Sequence, residues 1–233
     1  MLTHKPCSLF FKGCGFLIVY ELGVVKALKE LAPEILRSAT KICGSSSGSI
    51  VASLVTLESM AECNPFCTPT FDIRSVLLGP ISPNIDVLRN IEKLLYKTLP
   101  ENAHQLASGR LHIILTRVSD RQNVVVSDFR SKEELVQRYI DGNFSSPEPS
   151  FYTKTMIIVS ALGLDNDICP KDKPGNFFSF YSFQQQFQIQ LENIHRVFHC
   201  FFPPGHLVSS HQESMQPQAY LLLCGYNKHC LQG

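Results

Sequence analysis

Ala39-Thr-Lys-Ile-Cys-Gly-Ser-Ser-Ser-Gly-Ser-Ile-Val-Ala-Ser-Leu-Val-Thr-Leu57 is the stretch on which the fold turns. Ala39 to Cys43 reads as a short strand, Gly44-Ser45-Ser46-Ser47-Gly48 as a sharp turn, and Ile50 to Leu57 as a helix. The same order occurs once before it. Ser8-Leu-Phe-Phe11 reads as a buried strand and Gly13-Cys14-Gly15 as a turn. Phe16 to Leu31 then carries helical spacing, with Val19, Leu22, Val25, Leu28 and Leu31 on one face, until Pro33 ends or kinks it. Strand, glycine turn and helix, twice within the first sixty residues, predict an α/β fold with a parallel sheet.

Outward from there the signals thin. Cys63 to Pro83 is irregular, with four prolines. Asn84 caps a predicted helix whose apolar stripe runs Val87, Leu88, Ile91, Leu94, Leu95, Leu99. Leu111 to Thr116 and Val124 to Phe129 read as a hairpin-like strand pair, and Ser131-Lys-Glu-Glu134 as a capping box opening a short helix. Thr155 to Ser160 reads as another buried strand. Phe180, Phe183, Phe187, Leu191, Ile194 and Phe198 space out a long amphipathic helix, stopped by Pro203-Pro204. No internal repeat and no linker is visible, so one domain over residues 8–204 with a divergent tail, 205–233, is the simplest organisation.

The 233 residues are enough to bury a sizeable core. Lys plus Arg is 21 and Asp plus Glu 20, a net charge of +1, which argues against a nucleic-acid-binding face. Nine cysteines with no framework spacing point to a reducing compartment. Lys12 interrupts the apolar N-terminal run, so a signal peptide is not expected, and no apolar stretch is long enough for a membrane span.

Gly44-Ser45-Ser46-Ser47-Gly48 fits G-x-S-x-G between a strand and a helix, where a strained turn exposes the central Ser and the helix N-terminus favours developing negative charge. Only Ser46 has glycine two positions away on both sides. The plain alternative is a Ser/Gly-rich helix cap. No histidine is placed as an obvious base: His195 and His199 lie on the predicted long helix, His112 in a strand, and His206, His211 and His229 in the tail. A buried carboxylate can replace His. Asp141 is the candidate, because Asp141-Gly142 after Tyr139-Ile140 resembles a strand end; a hairpin-type Asp-Gly turn is the plainer reading. Gly13-Cys14-Gly15 fails as a dinucleotide fingerprint, since Ile18 stands where the third glycine belongs, and fits an oxyanion-hole loop instead. A zinc site from Cys63-x3-Cys67 and His195-x3-His199 is weak, the pairs being far apart.

Gly13-Cys14-Gly15-Phe16-Leu17 with Tyr20 and Gly23, followed by Gly44-Ser45-Ser46-Ser47-Gly48, resembles the patatin-like phospholipase family. The closer likeness is to the branch of adipose triglyceride lipase, adiponutrin and the epidermal omega-hydroxyceramide transacylase. Ser108-Gly-Arg-Leu-His112, Asn123-Val-Val-Val-Ser-Asp-Phe129, Asp167-Ile-Cys-Pro170 and Phe202-Pro-Pro204 extend the likeness in order along the chain. The resemblance implies a three-layer α/β/α sandwich with a Ser–Asp dyad: Ser46 as nucleophile, Asp141 as base, Gly13, Cys14 and Gly15 as the oxyanion loop, Gly44 and Gly48 flanking the nucleophile, and Gly142 in the Asp-Gly motif. It implies no metal and no organic cofactor. The implied activity is that of a lipid acyl hydrolase (triacylglycerol lipase or phospholipase-like) or transacylase. The implied partners are a neutral lipid or phospholipid substrate and a lipid-droplet or membrane surface reached from the cytoplasm, with a protein co-activator as a candidate.

The chain departs from the family pattern in three places. Ile18 replaces a frequent glycine, and Asn143 follows Asp141-Gly142. The segment normally lying between Gln137 and Arg138 is missing, so the stretch before the Asp-Gly motif is shortened. The shortening leaves Asp141 expected at a helix end, away from Ser46. The alternative function is therefore a catalytically impaired isoform or paralogue, acting as a lipid-droplet or regulatory binding protein.

Overall fold

The computed structural model describes residues 7–57, 92–93, 95–97, 99–117, 119–120, 122–141, 155–162, 166–170, 178–182, 185–189 and 191–201. The chain opens with β1 (Cys7–Phe11), a 3-10 turn (Gly15–Leu17) and α1 (Ile18–Leu31). Pro33 ends α1 and also begins α2 (Pro33–Ser38), a helix not expected from the sequence; proline at a first helical position loses no intrahelical bond. Next come β2 (Ala39–Ser45) and α3 (Ser47–Leu57). After α4 (Ala103–Ala107) the chain makes β3 (Leu111–Thr116), β4 (Asn123–Val126), α5 (Lys132–Asp141) and β5 (Met156–Val159). The hairpin β6 (Phe178–Ser182) and β7 (Gln185–Ile189) precedes α6 (Leu191–Phe201).

The main sheet has the order β4-β3-β2-β1-β5. β1, β2, β3 and β5 are parallel, and β4 is an antiparallel edge strand on β3. β1 is thus central, with its sequence neighbour β2 on one side and the distant β5 on the other. Ligands of open α/β sheets bind where strand order reverses like this, beyond the carboxyl ends of the strands. The turns that follow β1 and β2 lie at that end.

Alternation along the strands sends side chains to two buried faces. Leu9, Phe11, Ile42 and Ile113 join the large core formed with α1, α3, α4 and α5. Phe10, Cys43, Ile114 and Met156 form a second buried cluster. A parallel sheet buried on both faces is the middle layer of an α/β/α sandwich.

Two expectations need correction. Phe180 and Phe187 do not belong to one long helix: Phe178–Ser182 and Gln185–Ile189 pair antiparallel, with Phe180 opposite Phe187, and the helix starts at Leu191, while Phe183 lies outside the described residues. Phe178-Ser-Phe180 and Phe187-Gln-Ile189 alternate aromatic or β-branched residues with Ser or Gln, a period of two that a coincidental helical spacing hides. β4 ends at Val126, short of Phe129. There the chain is diverted by the 108–109 corner: Gly109 N–H donates to the Ser127 carbonyl (2.8 Å) and Phe129 N–H to Ser108 Oγ (3.0 Å). The irregular region Cys63 to Pro83, the Asn84 cap and the tail from residue 205 lie outside the described residues, while Leu95 and Leu99 of the expected stripe are buried.

Candidate active site

β2 ends at Ser45 and α3 begins at Ser47, so Ser46 is the single residue on which the chain reverses from strand to helix. Its φ of 51° is the one positive value of a non-glycine residue among those described. A side chain there carries backbone strain of roughly 1–3 kcal/mol, which persists only where the surroundings enforce it. They do so by close packing. A Cβ on Gly48 would lie 2.3 Å from the Phe11 carbonyl oxygen, and one on Gly44 would lie 2.4 Å from the Ser49 Cα. Helix α3 therefore passes directly over β1 and β2, and only glycine fits at either position.

The three serines are not equivalent. Ser45 and Ser47 are buried, whereas Ser46 is half-buried. Gly13 N–H donates to Ser45 Oγ (3.1 Å) and Cys14 N–H to Ser47 Oγ (3.0 Å). These two hydroxyls clamp the first glycine turn onto the second, and the turn then lies against Ser46: a Cβ on Gly13 would approach the Ser46 Cβ to 2.8 Å and its Oγ to 3.5 Å. The expected juxtaposition of Ser46 with the Gly13–Gly15 turn is present. Two of that turn's N–H groups, however, are directed at serine hydroxyls. Sequence reasoning missed this clamp; the signal was there in hydroxyl residues at both variable positions of G-x-S-x-G. Ser46 also heads α3, its carbonyl accepting the Ser49 N–H (2.9 Å), so the positive end of the helix dipole lies at its side chain.

The turn is enclosed from its other side by α6. A Cβ on Gly15, whose φ is +54°, would fall 2.1 Å from the Cys200 carbonyl oxygen. Cys14 is wholly buried, and burial is the largest cause pushing its thiol well above the ordinary range, with the Glu21 charge second. Cys200 rises to about 12 for the same two reasons in the same order. Both thiols are inert, protonated packing groups at neutral pH.

Asp141 is the last residue of α5. The reading of Tyr139-Ile140-Asp141 as a strand end is corrected, since all three are helical; the Asp-Gly turn depends on Gly142, which lies outside the described residues. The helix starts at the expected capping box, where Glu134 N–H donates to Ser131 Oγ (3.1 Å) and Arg130 N–H to Glu134 Oε2 (2.9 Å). It buries Leu135 and Val136 and meets no helix breaker before Gly142. The side chain of Asp141 and the residues Gly142 and Asn143 lie outside the described part of the structure.

Among the described residues no cluster of three or more His, Cys, Asp or Glu is arranged to hold a metal. His195 and His199 are neighbours on α6 with ring centroids 6.5 Å apart, while Cys63 and Cys67 lie outside the described residues. His112, on β3, has its pKa lowered, burial being the largest cause. No described helix is long and apolar enough to cross a membrane.

This arrangement has counterparts among known proteins. The patatin-like phospholipase family matches residues 9–141, from β1 to the last residue of α5. Mouse (Mus musculus) omega-hydroxyceramide transacylase is 38% identical over 223 residues, covering 85% of this chain and 37% of that protein. Human (Homo sapiens) patatin-like phospholipase domain-containing protein 2 is 37% identical over 229 residues, 88% of this chain and 45% of its own length. Human 1-acylglycerol-3-phosphate O-acyltransferase PNPLA3 is 35% identical over 228 residues, 87% and 47% respectively. The chain spans less than half the length of each of these relatives. The match spans both glycine turns, the clamp between them and more than half of the sequence, and the chain belongs to the patatin-like phospholipase family.

Proposed function

We propose that this chain is a lipid acyl hydrolase or transacylase with Ser46 as its nucleophile. The observation that carries this reading is Ser46 itself: half-buried, at positive φ, at the head of α3 and against the Gly13 turn. Ser46 Oγ attacks an ester carbonyl while its proton passes to a carboxylate, which the family resemblance assigns to Asp141. The carbonyl oxygen becomes an oxyanion. With the Gly13 and Cys14 N–H groups directed at Ser45 and Ser47, we assign its donors to the N–H groups of Gly15 and Ser47. Collapse expels the alcohol, which takes the proton, and the acyl-serine passes its acyl group to water or to a lipid hydroxyl. The relatives named a transacylase and an acyltransferase make transfer as reasonable as hydrolysis. Ile194, Phe198 and Phe201, each about half exposed on α6 beside the site, suit work at a lipid–water interface, on a droplet or membrane.

A second reading has its own observation. Helix α5 runs unbroken to Asp141, where the family pattern places a further segment before the Asp. On this reading the dyad is not assembled, and the fold serves as a lipid-surface or regulatory binding protein. Labelling the purified chain with a fluorophosphonate, then with Ser46→Ala as control, tests the nucleophile without a known substrate. Hydrolysis of a triacylglycerol emulsion, with and without Asp141→Asn, then separates the two readings. Failure of the fluorophosphonate to attach to Ser46 would remove the first.

A further inference from the structure

Glu21, in the second turn of α1, has no solvent exposure at all. Neither carboxyl oxygen has a hydrogen-bond partner among the described residues. Acidic side chains are almost never buried fully unless paired, and an isolated buried carboxylate takes up a proton rather than stay charged.

Its neighbours belong to the glycine turn, to α6 and to its own helix. Helix α1 grows directly out of the turn that holds Gly13, Cys14 and Gly15, and the Cys200 carbonyl of α6 closes onto Gly15. The titratable groups that feel a charge on Glu21 are Cys14 in the turn, Cys200 in α6 and Tyr20 on its own helix, with Cys169 and Arg196 acting on Tyr20 in turn. Helix α3, packed on α1, carries no charged or titratable side chain. Burial dominates and pushes the Glu21 carboxyl well above its usual range; the Cys14 thiol, a weak donor, opposes this and does not satisfy it. The carboxyl thus occupies a buried seam shared with Cys14 of the glycine turn and Cys200 of α6.

We propose that Glu21 is a positioning residue of the acyl-transfer site: as a neutral acid it seats the glycine turn between Ser46 and α6, and its ionisation weakens the oxyanion-holding position of that turn. The inference rests on the reading of Ser46 as an acyl-transfer nucleophile. A negative charge in the seam would draw water beneath the turn and would repel the oxyanion forming on its upper side. Both effects have one sign, a loss of reactivity as pH rises. Stability moves the same way: the contribution of the neutral carboxyl is complete below the ordinary value of 4.5 and is lost as pH rises from there through the range of the buried group.

The test compares wild type with Glu21→Gln, a neutral isostere that cannot ionise. The rate of Ser46 labelling by a fluorophosphonate is followed from about pH 6 to about pH 9, together with the melting temperature across the same range. The ratio of Gln-variant to wild-type labelling rate is expected to rise about fivefold or more towards high pH, a unit of differential protonation being a factor of about ten. The melting curve of the variant is expected to be flatter with pH. A ratio that stays constant with parallel melting curves would overturn the proposal. No labelling at any pH would refute the acyl-transfer reading instead, and the melting curves would still judge whether Glu21 is neutral. Should the variant not fold, infrared spectroscopy of the wild-type protein decides: a protonated carboxyl band at neutral pH is expected, and its absence overturns the proposal.

Discussion

The turn at Ser46 and the helix end at Asp141 are the two places where the family resemblance puts catalysis, and they are built by opposite means. Ser46 is held from every side. Two hydroxyl clamps fix the neighbouring turn, α3 passes within contact distance of Phe11, and α6 closes on Gly15; residues 7–57 supply all but the last. Asp141 is the last residue of α5. Its helix is anchored at the Ser131 capping box and by Leu135 and Val136, ten residues and fewer upstream. A site made of short local segments keeps its geometry when the chain is shortened elsewhere; a site that depends on a spacer does not.

The largest effect that tests this contrast is Ser46→Ala, which should reduce fluorophosphonate labelling by about a thousandfold or more. Ser47→Ala should retain measurable labelling. Equal labelling of the Ser46→Ala protein would place the nucleophile elsewhere.

Next comes Gly48→Ala, whose new methyl group would collide with the Phe11 carbonyl. It should destabilise the fold by about 3 kcal/mol in urea unfolding, since backbone cannot easily yield. Gly109→Ala is the matched control: its φ is +82° but nothing lies within 4 Å of the added Cβ, so about 1 kcal/mol of backbone strain is expected. Equal losses would mean that the contact at Gly48 is not tight.

At the Asp141 end smaller effects should follow. On the second reading Asp141→Asn is expected to change ester turnover by less than about tenfold, well below the loss that the first reading expects of an assembled base. Inserting the missing family segment between Gln137 and Arg138 should then raise turnover and make it sensitive to Asp141→Asn. A large loss in the unmodified chain would show that the dyad forms despite the unbroken helix. Smallest of all, Ser131→Ala removes the hydroxyl that accepts Glu134 N–H and should lower stability by about 1 kcal/mol with labelling of Ser46 unchanged.

These contrasts track what the sequence could and could not announce. Strand, turn and helix recur over residues 8–57 with apolar spacing of the right period, and β1, α1, β2 and α3 appear nearly where that spacing puts them. The capping box likewise locates the start of α5. Phe180 and Phe187 misled because their separation fits a helix as well as a hairpin, and only pairing with a partner strand decides between them. Asp141 misled for a similar reason: Tyr-Ile-Asp-Gly suits a strand end, yet a helix already nucleated at Ser131 extends through it. Glu21 left a faint mark. It falls on the same stripe as Val25 and Leu28, a position where an acid is out of place, but a sequence does not say whether such an acid faces water or core.

The central place of β1 also carries a kinetic consequence. Its partner β2 arrives after a crossover through α1 and α2, whereas Ser8 to Phe11 must wait for Met156 to Val159 to supply the other edge. Contacts so far apart in sequence carry a large loop-closure entropy and slow the approach to the native state. During synthesis the turn at Ser46 can therefore condense while one flank of the middle strand still has bare backbone N–H and C=O groups. Such an unpaired edge is a template for strand addition by another chain. The interval before β5 docks is then the period in which a nascent molecule is most exposed to misassembly, and its length is governed by the separation of β1 and β5.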